Sequence, residues 1–190
     1  DRAEGVAAIE LNLSCPNLQR ASHLMVAQDP HATSAMVSAA RQHTRKPLIA
    51  KLSPDVTDLA PIAQAAQQAG ADALSLVNTF TGMSLDPSTR RSRLGTLTGG
   101  LSGPAIRPLA VYRVWYTAQV VRLPIIGLGG IVRAEDALEF FLAGASAVAI
   151  GTATFADPRA ALRVLRGLER YVTRHRLSLE DLRGAVNRSA

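Results

Sequence analysis

Short apolar runs alternate with alanine-rich segments of helical length along the chain, and this alternation limits the folds that are open to it. Apolar character on both faces predicts that the short runs are buried strands of a parallel sheet. The alternating order therefore predicts an α/β fold of consecutive βα units. The predicted strands are Ala8–Leu13, Pro47–Leu52, Ala73–Asn78, Pro124–Leu128 and Ala147–Ile150, and the predicted helices are Ala32–His43, Asp58–Ala69, Ile106–Val121, Ala134–Ala143 and Pro158–Arg174.

Two predicted helices end in similar sequences, "AGADAL" and "AGASAV", and each leads directly into a predicted strand. Thr57 or Asp58 can cap the start of the second helix, and Gly70 and Gly144 can end the helices that precede these strands. The recurrence favours the repeated units of a (β/α)8 TIM barrel over an open sheet, with about the last five βα units present. The turn signal at Asp86 predicts an inserted hairpin at about 80–98, and "SLEDLRGAV" predicts a short terminal helix capped by serine.

Composition narrows the class of protein. A chain of 190 residues, 47% of them hydrophobic, is long enough for one domain with a substantial core. Its single cysteine excludes an intramolecular disulfide and a cysteine-based zinc site, and favours a reducing, cytoplasmic location. No apolar run reaches the roughly 18 residues of a membrane span. The net charge of +6 comes from scattered arginines, and aromatic residues are only 4%, so we predict no nucleic-acid partner.

Polar or glycine residues follow each predicted strand. Because the carboxyl ends of barrel strands meet at one face, these residues are expected to form a site there. "GLGGI" and "IGTATF" follow the last two strands, and they offer backbone N–H groups that a phosphate can approach closely. The residues at the five strand ends are Asn12, Ser14, Cys15 and Asn17, then Lys51, then Asn78 and Thr79, then Gly129 and Gly130, and last Gly151 and Thr152.

Each of these residues also has a plain structural interpretation. A lone cysteine such as Cys15 is usually a core residue, although a following proline and three polar neighbours are unusual for a residue of the core. Lys51 can be a solvated strand end, although a lysine that ends "PLIAK" is costly to bury without an anionic partner. Asn78 can merely cap a turn, and a glycine pair closes many strands. The ordered set is more specific than any one member.

Six motifs in this order resemble the class 1 dihydroorotate dehydrogenases: "NLSCPN", "KLSPDVTDL", "VNT", "TGGLSGPAIRP", "GLGGI" and "IGTATFADP". "TGGLSGPAIRP" is more similar to the class 1B, NAD-linked branch than to the fumarate-using branch. The resemblance implies an FMN-binding (β/α)8 barrel that oxidises dihydroorotate to orotate in pyrimidine biosynthesis.

The resemblance also implies roles by position. Cys15 matches the base that takes a proton from C5 of dihydroorotate while hydride leaves C6 for flavin N5. Asn12 matches a residue that contacts both flavin and substrate, and Asn17, Asn78 and Thr79 match groups that hold the substrate. Positions that match the flavin site are Asn12, Lys51, Val77, Gly103, Gly129, Gly130, Gly151 and Thr152, the last four as a phosphate cradle.

The sequence departs from the family pattern in two places. The loop after "NLSCPN" is commonly glycine-rich in the family, and here it reads "LQRASHLMVAQDP". The chain also opens almost directly on a strand, so residues 1–190 are expected to be the C-terminal portion of one FMN-binding barrel domain. The first strand is then expected to expose its edge.

Two alternatives stay open at this point. One is an enzyme similar to dihydropyrimidine dehydrogenase, which shares the cysteine and the flavin barrel. The other is an inactive half-barrel that binds a phosphate ligand or serves only in assembly. For the dihydroorotate dehydrogenase interpretation, the resemblance to the NAD-linked branch implies an iron–sulfur and FAD-containing partner subunit in a heterotetramer.

Overall fold

A computed structural model describes residues 3–14 and 25–188. In chain order the strands and helices are β1 (Ile9–Asn12), α1 (Pro30–His43), β2 (Leu48–Lys51), α2 (Ala60–Gln68), β3 (Ala73–Leu76), β4 (Phe80–Gly82), β5 (Leu85–Asp86), β6 (Arg91–Ser92), β7 (Gly99–Leu101), α3 (Arg107–Val120), β8 (Ile125–Leu128), α4 (Ala134–Ala143), β9 (Ala147–Ala149), α5 (Ala153–Ala156), α6 (Ala160–His175) and α7 (Leu179–Leu182).

Five parallel strands form the central sheet in the order β1-β2-β3-β8-β9. Neighbouring strands are paired in register, as in Asn12 opposite Lys51 and Lys51 opposite Ser75. Each strand is followed by a helix, so the predicted α/β architecture of five βα units is confirmed. Among the described strands β1 and β9 each have one neighbour, and the sheet has two open edges.

The core lies between the sheet and the helices that cover it. Leu48, Leu74 and Phe140 are fully buried there, as befits strands of a parallel sheet covered by helices. Gly127 allows α4 to approach β8, because a Cβ atom at this position would lie 2.6 Å from Cδ1 of Phe140. Most of the fold is held by this apolar burial.

The predicted helix signals are confirmed at Gly144 and Ser178. At α2 the N-cap residue is Leu59 rather than Thr57 or Asp58, and the Asp58 carboxylate accepts the backbone N–H of Ala60 at 2.9 Å. Gly144 ends α4 in the left-handed conformation, with φ at 116°. Ser178 accepts the backbone N–H of Asp181 at 3.1 Å and so caps α7, which is shorter than predicted.

A double hairpin lies between β3 and α3. β4 pairs with β7 in antiparallel fashion, and β5 pairs with β6 around the turn at Asp86. The paired strands run to Leu101, which is beyond the predicted C-terminal bound at 98. Thr81 anchors the hairpin to the loop after β2, since its N–H and hydroxyl both donate to the Asp55 carboxylate, at 3.0 and 2.6 Å. Among the described helices, none combines the length and apolar composition needed to cross a membrane.

Candidate active site

A cavity of about 430 Å³ lies at the carboxyl ends of β2, β3, β8 and β9. The parallel strands bring their ends to one edge of the sheet, which is the general location of ligand sites in such folds. Nine of the residues singled out in the sequence line it: Lys51, Val77, Asn78, Thr79, Gly103, Gly129, Gly130, Gly151 and Thr152. A larger groove of about 950 Å³ between α4 and α6 contains none of them.

Lys51 supplies a positive charge to the cavity. It is the last residue of β2 and is partly buried. Among the described residues it has no ion-pair or hydrogen-bond partner for its ammonium group. A half-buried ammonium without an anionic neighbour is suited to an anionic ligand.

Two glycine loops form one wall of the cavity. Gly129 and Gly130 have φ values of 136° and 76°, which L side chains rarely adopt. A Cβ atom on Gly130 would lie 2.7 Å from the carbonyl oxygen of Gly103, so the two loops are in close contact. Gly151 differs, because a Cβ atom there would meet no atom within 4 Å and would extend into open space.

The backbone N–H groups of Gly129, Gly130, Gly151 and Thr152 form no hydrogen bond within the part of the chain that the structure describes. Four free donors in a cavity that Lys51 also lines make a site suited to a phosphate group. This donor set, together with the cavity size, fits a phosphate-bearing cofactor such as a flavin mononucleotide.

A chain of hydrogen bonds joins the ends of β1 and β3. The Asn78 amide nitrogen donates to the hydroxyl and to the carbonyl oxygen of Ser14, at 2.6 and 3.1 Å. The Ser14 hydroxyl donates in turn to Oδ1 of Asn12 at 3.0 Å. Asn12 does not line the cavity itself, and this network connects it to Asn78, which does.

Thr79 and Gly103 frame the cavity on the side of the hairpin. Gly100 of β7 packs against Thr79 so closely that a Cβ atom would lie 2.2 Å from its hydroxyl oxygen. Gly103 has a φ of 91° and leads into α3 through a 3-10 turn. The hairpin therefore covers the end of β3. Cys15 and Asn17 lie outside the described residues.

Two charged residues at the cavity were not among the sequence predictions. Asp157 and Arg163 pair across the cavity rim with an N–O distance of 3.0 Å. The backbone N–H of Arg159 holds the pKa of Asp157 below its ordinary value, and the guanidinium groups of Arg163 and Arg159 act in the same direction. The position of Asp157 directly after "IGTATFA" was the available signal.

The fold and this site define a parallel α/β protein of the barrel type, with a cavity at the strand ends that is suited to a phosphate-bearing ligand. A family model described as dihydroorotate dehydrogenase matches residues 3–172. The chain therefore belongs to the dihydroorotate dehydrogenase family.

The names of two similar proteins are consistent with this family. The chain is 51% identical over 98% of its length to the protein of Citrifermentans bemidjiense named dihydroorotate dehydrogenase B (NAD(+)), catalytic subunit. It is 52% identical over 100% of its length to the protein of the same name from Desulforudis audaxviator. It spans 61% and 62% of the lengths of these two relatives.

A solved structure is similar as well. The crystal structure of the dihydroorotate dehydrogenase of Eimeria tenella in complex with ferulenol superposes with a TM-score of 0.78 at 26% identity. The match covers 96% of this chain and 54% of that one. The (β/α) barrel class predicted from the sequence is consistent with this similarity.

Proposed function

We propose that the protein carrying this chain oxidises dihydroorotate to orotate in pyrimidine biosynthesis, with FMN as its cofactor. The observation that carries the proposal is the grouping of Lys51, Asn78 and the two glycine loops around one cavity, in a chain of the dihydroorotate dehydrogenase family. Because the chain spans 61% of the relative from Citrifermentans bemidjiense, the proposal concerns the whole protein.

FMN would supply the hydride acceptor when bound. The free N–H groups of Gly129, Gly130, Gly151 and Thr152 would hold its phosphate, and Val77 and Gly103 would contact the flavin. Lys51 would lie beside the flavin, where its positive charge favours the reduced, anionic form. Lys51 forms no ion pair among the described residues, and this supports the assignment.

The amide and hydroxyl groups at the ends of β1 and β3 would hold the substrate. Dihydroorotate has ring N–H donors, carbonyl acceptors and a carboxylate, and asparagine side chains both donate and accept hydrogen bonds. We assign substrate contacts to Asn12, Asn17, Asn78 and Thr79. The hydrogen-bonded connection of Asn12 to Asn78 supports a joint role.

Cys15 would be the general base that takes the proton from C5 of the substrate. A thiolate can accept a proton near neutral pH where its surroundings favour the charged form. Cys15 follows Ser14 directly, and Ser14 is buried at the end of β1.

Both relatives are named catalytic subunits, and this term denotes one subunit of a larger assembly. We propose that the electron-accepting partner is an iron–sulfur and FAD-containing subunit in a heterotetramer. The cytoplasmic location stays a prediction from the single cysteine.

The test is a substrate comparison with the holoprotein made from its complete gene. We expect turnover with dihydroorotate and not with dihydrouracil, which lacks the carboxylate, and a loss of about a hundredfold or more for Cys15→Ala. Preference for dihydrouracil would favour an enzyme similar to dihydropyrimidine dehydrogenase. Turnover of neither compound by a flavin-loaded protein would contradict the proposal.

A further inference from the structure

Ser14 is a buried residue at the centre of the polar network between β1 and β3. The residue is 2% exposed, and its hydroxyl forms hydrogen bonds with Asn12 and Asn78, which are both candidate substrate contacts. It contributes three polar contacts there: a hydroxyl that donates to Asn12, the same hydroxyl accepting from Asn78, and a carbonyl oxygen that also accepts from Asn78. A side chain in this position can determine how its two partners are oriented.

The Ser14 carbonyl determines which atoms of the network donate and which accept. A carbonyl oxygen can only accept, so the Asn78 atom that faces it must be the amide nitrogen rather than Oδ1. That nitrogen then donates to both the carbonyl oxygen and the hydroxyl of Ser14. The hydroxyl has a single proton, and it is given to Oδ1 of Asn12.

This direction determines which atoms are left for a ligand. Within the described residues, Oδ1 of Asn78 and Nδ2 of Asn12 have no hydrogen-bond partner. Asn78 lines the cavity and Asn12 is exposed at the end of β1. The network therefore leaves one acceptor at Asn78 and one donor at Asn12.

We propose that Ser14 is a positioning residue that orients both amides, so that Asn78 presents an acceptor to a ring N–H and Asn12 presents a donor to a carbonyl or carboxylate oxygen. The inference rests on the proposed function, because the ligand is taken to be the dihydroorotate and orotate pair. A free asparagine amide can rotate to offer either atom, and the Ser14 hydroxyl removes that freedom for Asn12. Asn78 keeps the bond to the Ser14 carbonyl even without the hydroxyl, so Asn12 is the residue that depends on it.

The test is orotate binding by isothermal titration calorimetry, with the flavin-loaded holoprotein and its Ser14→Ala variant. Loss of one oriented hydrogen bond is expected to weaken orotate binding about tenfold. The flavin content should stay close to the wild-type level, because the N–H groups proposed to hold the FMN phosphate follow β8 and β9, and Ser14 does not line the cavity. Ser53→Ala is the matched control, since Ser53 is also 2% exposed and its hydroxyl accepts a local backbone N–H, that of Asp55 at 3.2 Å.

A double-mutant cycle separates positioning from general loosening of the structure. If Ser14 acts through Asn12, then Ser14→Ala has no further effect on orotate binding in an Asn12→Ala background. Losses that multiply in the double variant, or wild-type orotate binding by Ser14→Ala, would overturn the inference. So would loss of flavin from Ser14→Ala alone. A wild-type holoprotein that binds no orotate would instead contradict the proposed function, and the inference with it.

Discussion

Asp157 is an acidic residue at the rim of the cavity, where its carboxylate is surrounded by donors. It accepts the backbone N–H of Arg159 at 2.9 Å, and its oxygens lie 3.0 and 3.7 Å from the guanidinium groups of Arg163 and Arg159. These groups favour the charged carboxylate, so the pKa of Asp157 is lower in the folded chain than its ordinary value of 3.8. The negative charge is thus maintained beside a cavity suited to a phosphate.

The lowered pKa of Asp157 predicts a pH-dependent contribution to stability. A depressed folded pKa means that this contribution is fully present above the ordinary pKa of 3.8, and is lost as pH falls through the lower folded value. Asp157→Asn should therefore lower the unfolding free energy near about pH 6, and this difference should shrink near about pH 3. Urea denaturation at both pH values checks it. An equal difference at both would contradict the assignment.

Single residues differ in how far the sequence predicts them. Lys51, Asn78 and Gly130 could be predicted because they end strands, and parallel strands end at one edge. Arg163 could not, because it lies within α6 and reaches the cavity only through the packing of that helix. The role of Ser14 depends on how closely the ends of β1 and β3 lie to each other in space. A local sequence pattern does not specify this distance.

At the scale of elements, the turn after β8 is held to the start of α3 by Asp136. Its side chain is 3% exposed and accepts the backbone N–H groups of Val132 and Arg133, at 2.9 and 3.0 Å. It also pairs with Arg107, the first residue of α3. One buried carboxylate thus connects the loop of Gly129 and Gly130 to the loop of Gly103.

Asp136→Ala is expected to destabilise the fold strongly. It leaves two backbone donors and a guanidinium without their shared acceptor, and such losses cost about 3 kcal/mol of unfolding free energy. Arg133→Ala is the matched control, because Arg133 is 72% exposed and its ion pair with Asp136 is 3.6 Å long. The control should change the unfolding free energy by no more than about 0.5 kcal/mol. Equal effects in denaturant titrations would contradict the role given to Asp136.

The loop after β9 allows a test that separates the cavity from the fold. A Cβ atom on Gly151 would meet no protein atom within 4 Å, so Gly151→Ala should leave the unfolding free energy within about 0.5 kcal/mol of wild type. The added methyl group would extend into the proposed phosphate cradle and weaken FMN binding about tenfold.

Flavin content of the purified protein and FMN titration of the apoprotein measure the effect of Gly151→Ala. Gly95→Ala is the control, since its Cβ atom would also meet nothing within 4 Å, and Gly95 lies in the hairpin away from the cavity. Wild-type affinity of Gly151→Ala for FMN would contradict the assignment of this loop to the phosphate.

Elements were predicted well where local pattern and packing agree. The helix at Ala134–Ala143 has the bounds that its amphipathic pattern and Gly144 predict. The closing strand Gly99–Leu101 was not predicted, because glycine has low strand propensity and the strand forms only through its pairing with β4. Local sequence patterns do not indicate which distant segments of the chain will pair.

At the scale of the whole molecule, the five strands of the described parallel sheet leave two open edges, at β1 and β9. The chain spans 61% of the length of the Citrifermentans bemidjiense relative, and the cavity extends from the end of β2 across β3 and β8 to the edge strand β9. The alternation of strand and helix was sufficient to predict this architecture. The amide orientation and the buried ion pairs required the three-dimensional structure.

The measurement that tests the account most directly is the absorbance spectrum of the holoprotein from the complete gene, recorded before and after anaerobic addition of dihydroorotate. The account predicts a yellow protein with an oxidised flavin spectrum that bleaches when dihydroorotate is added, since the cofactor is then reduced by the substrate. A colourless protein that takes up no added FMN, or a flavin band that dihydroorotate leaves unchanged, would contradict it.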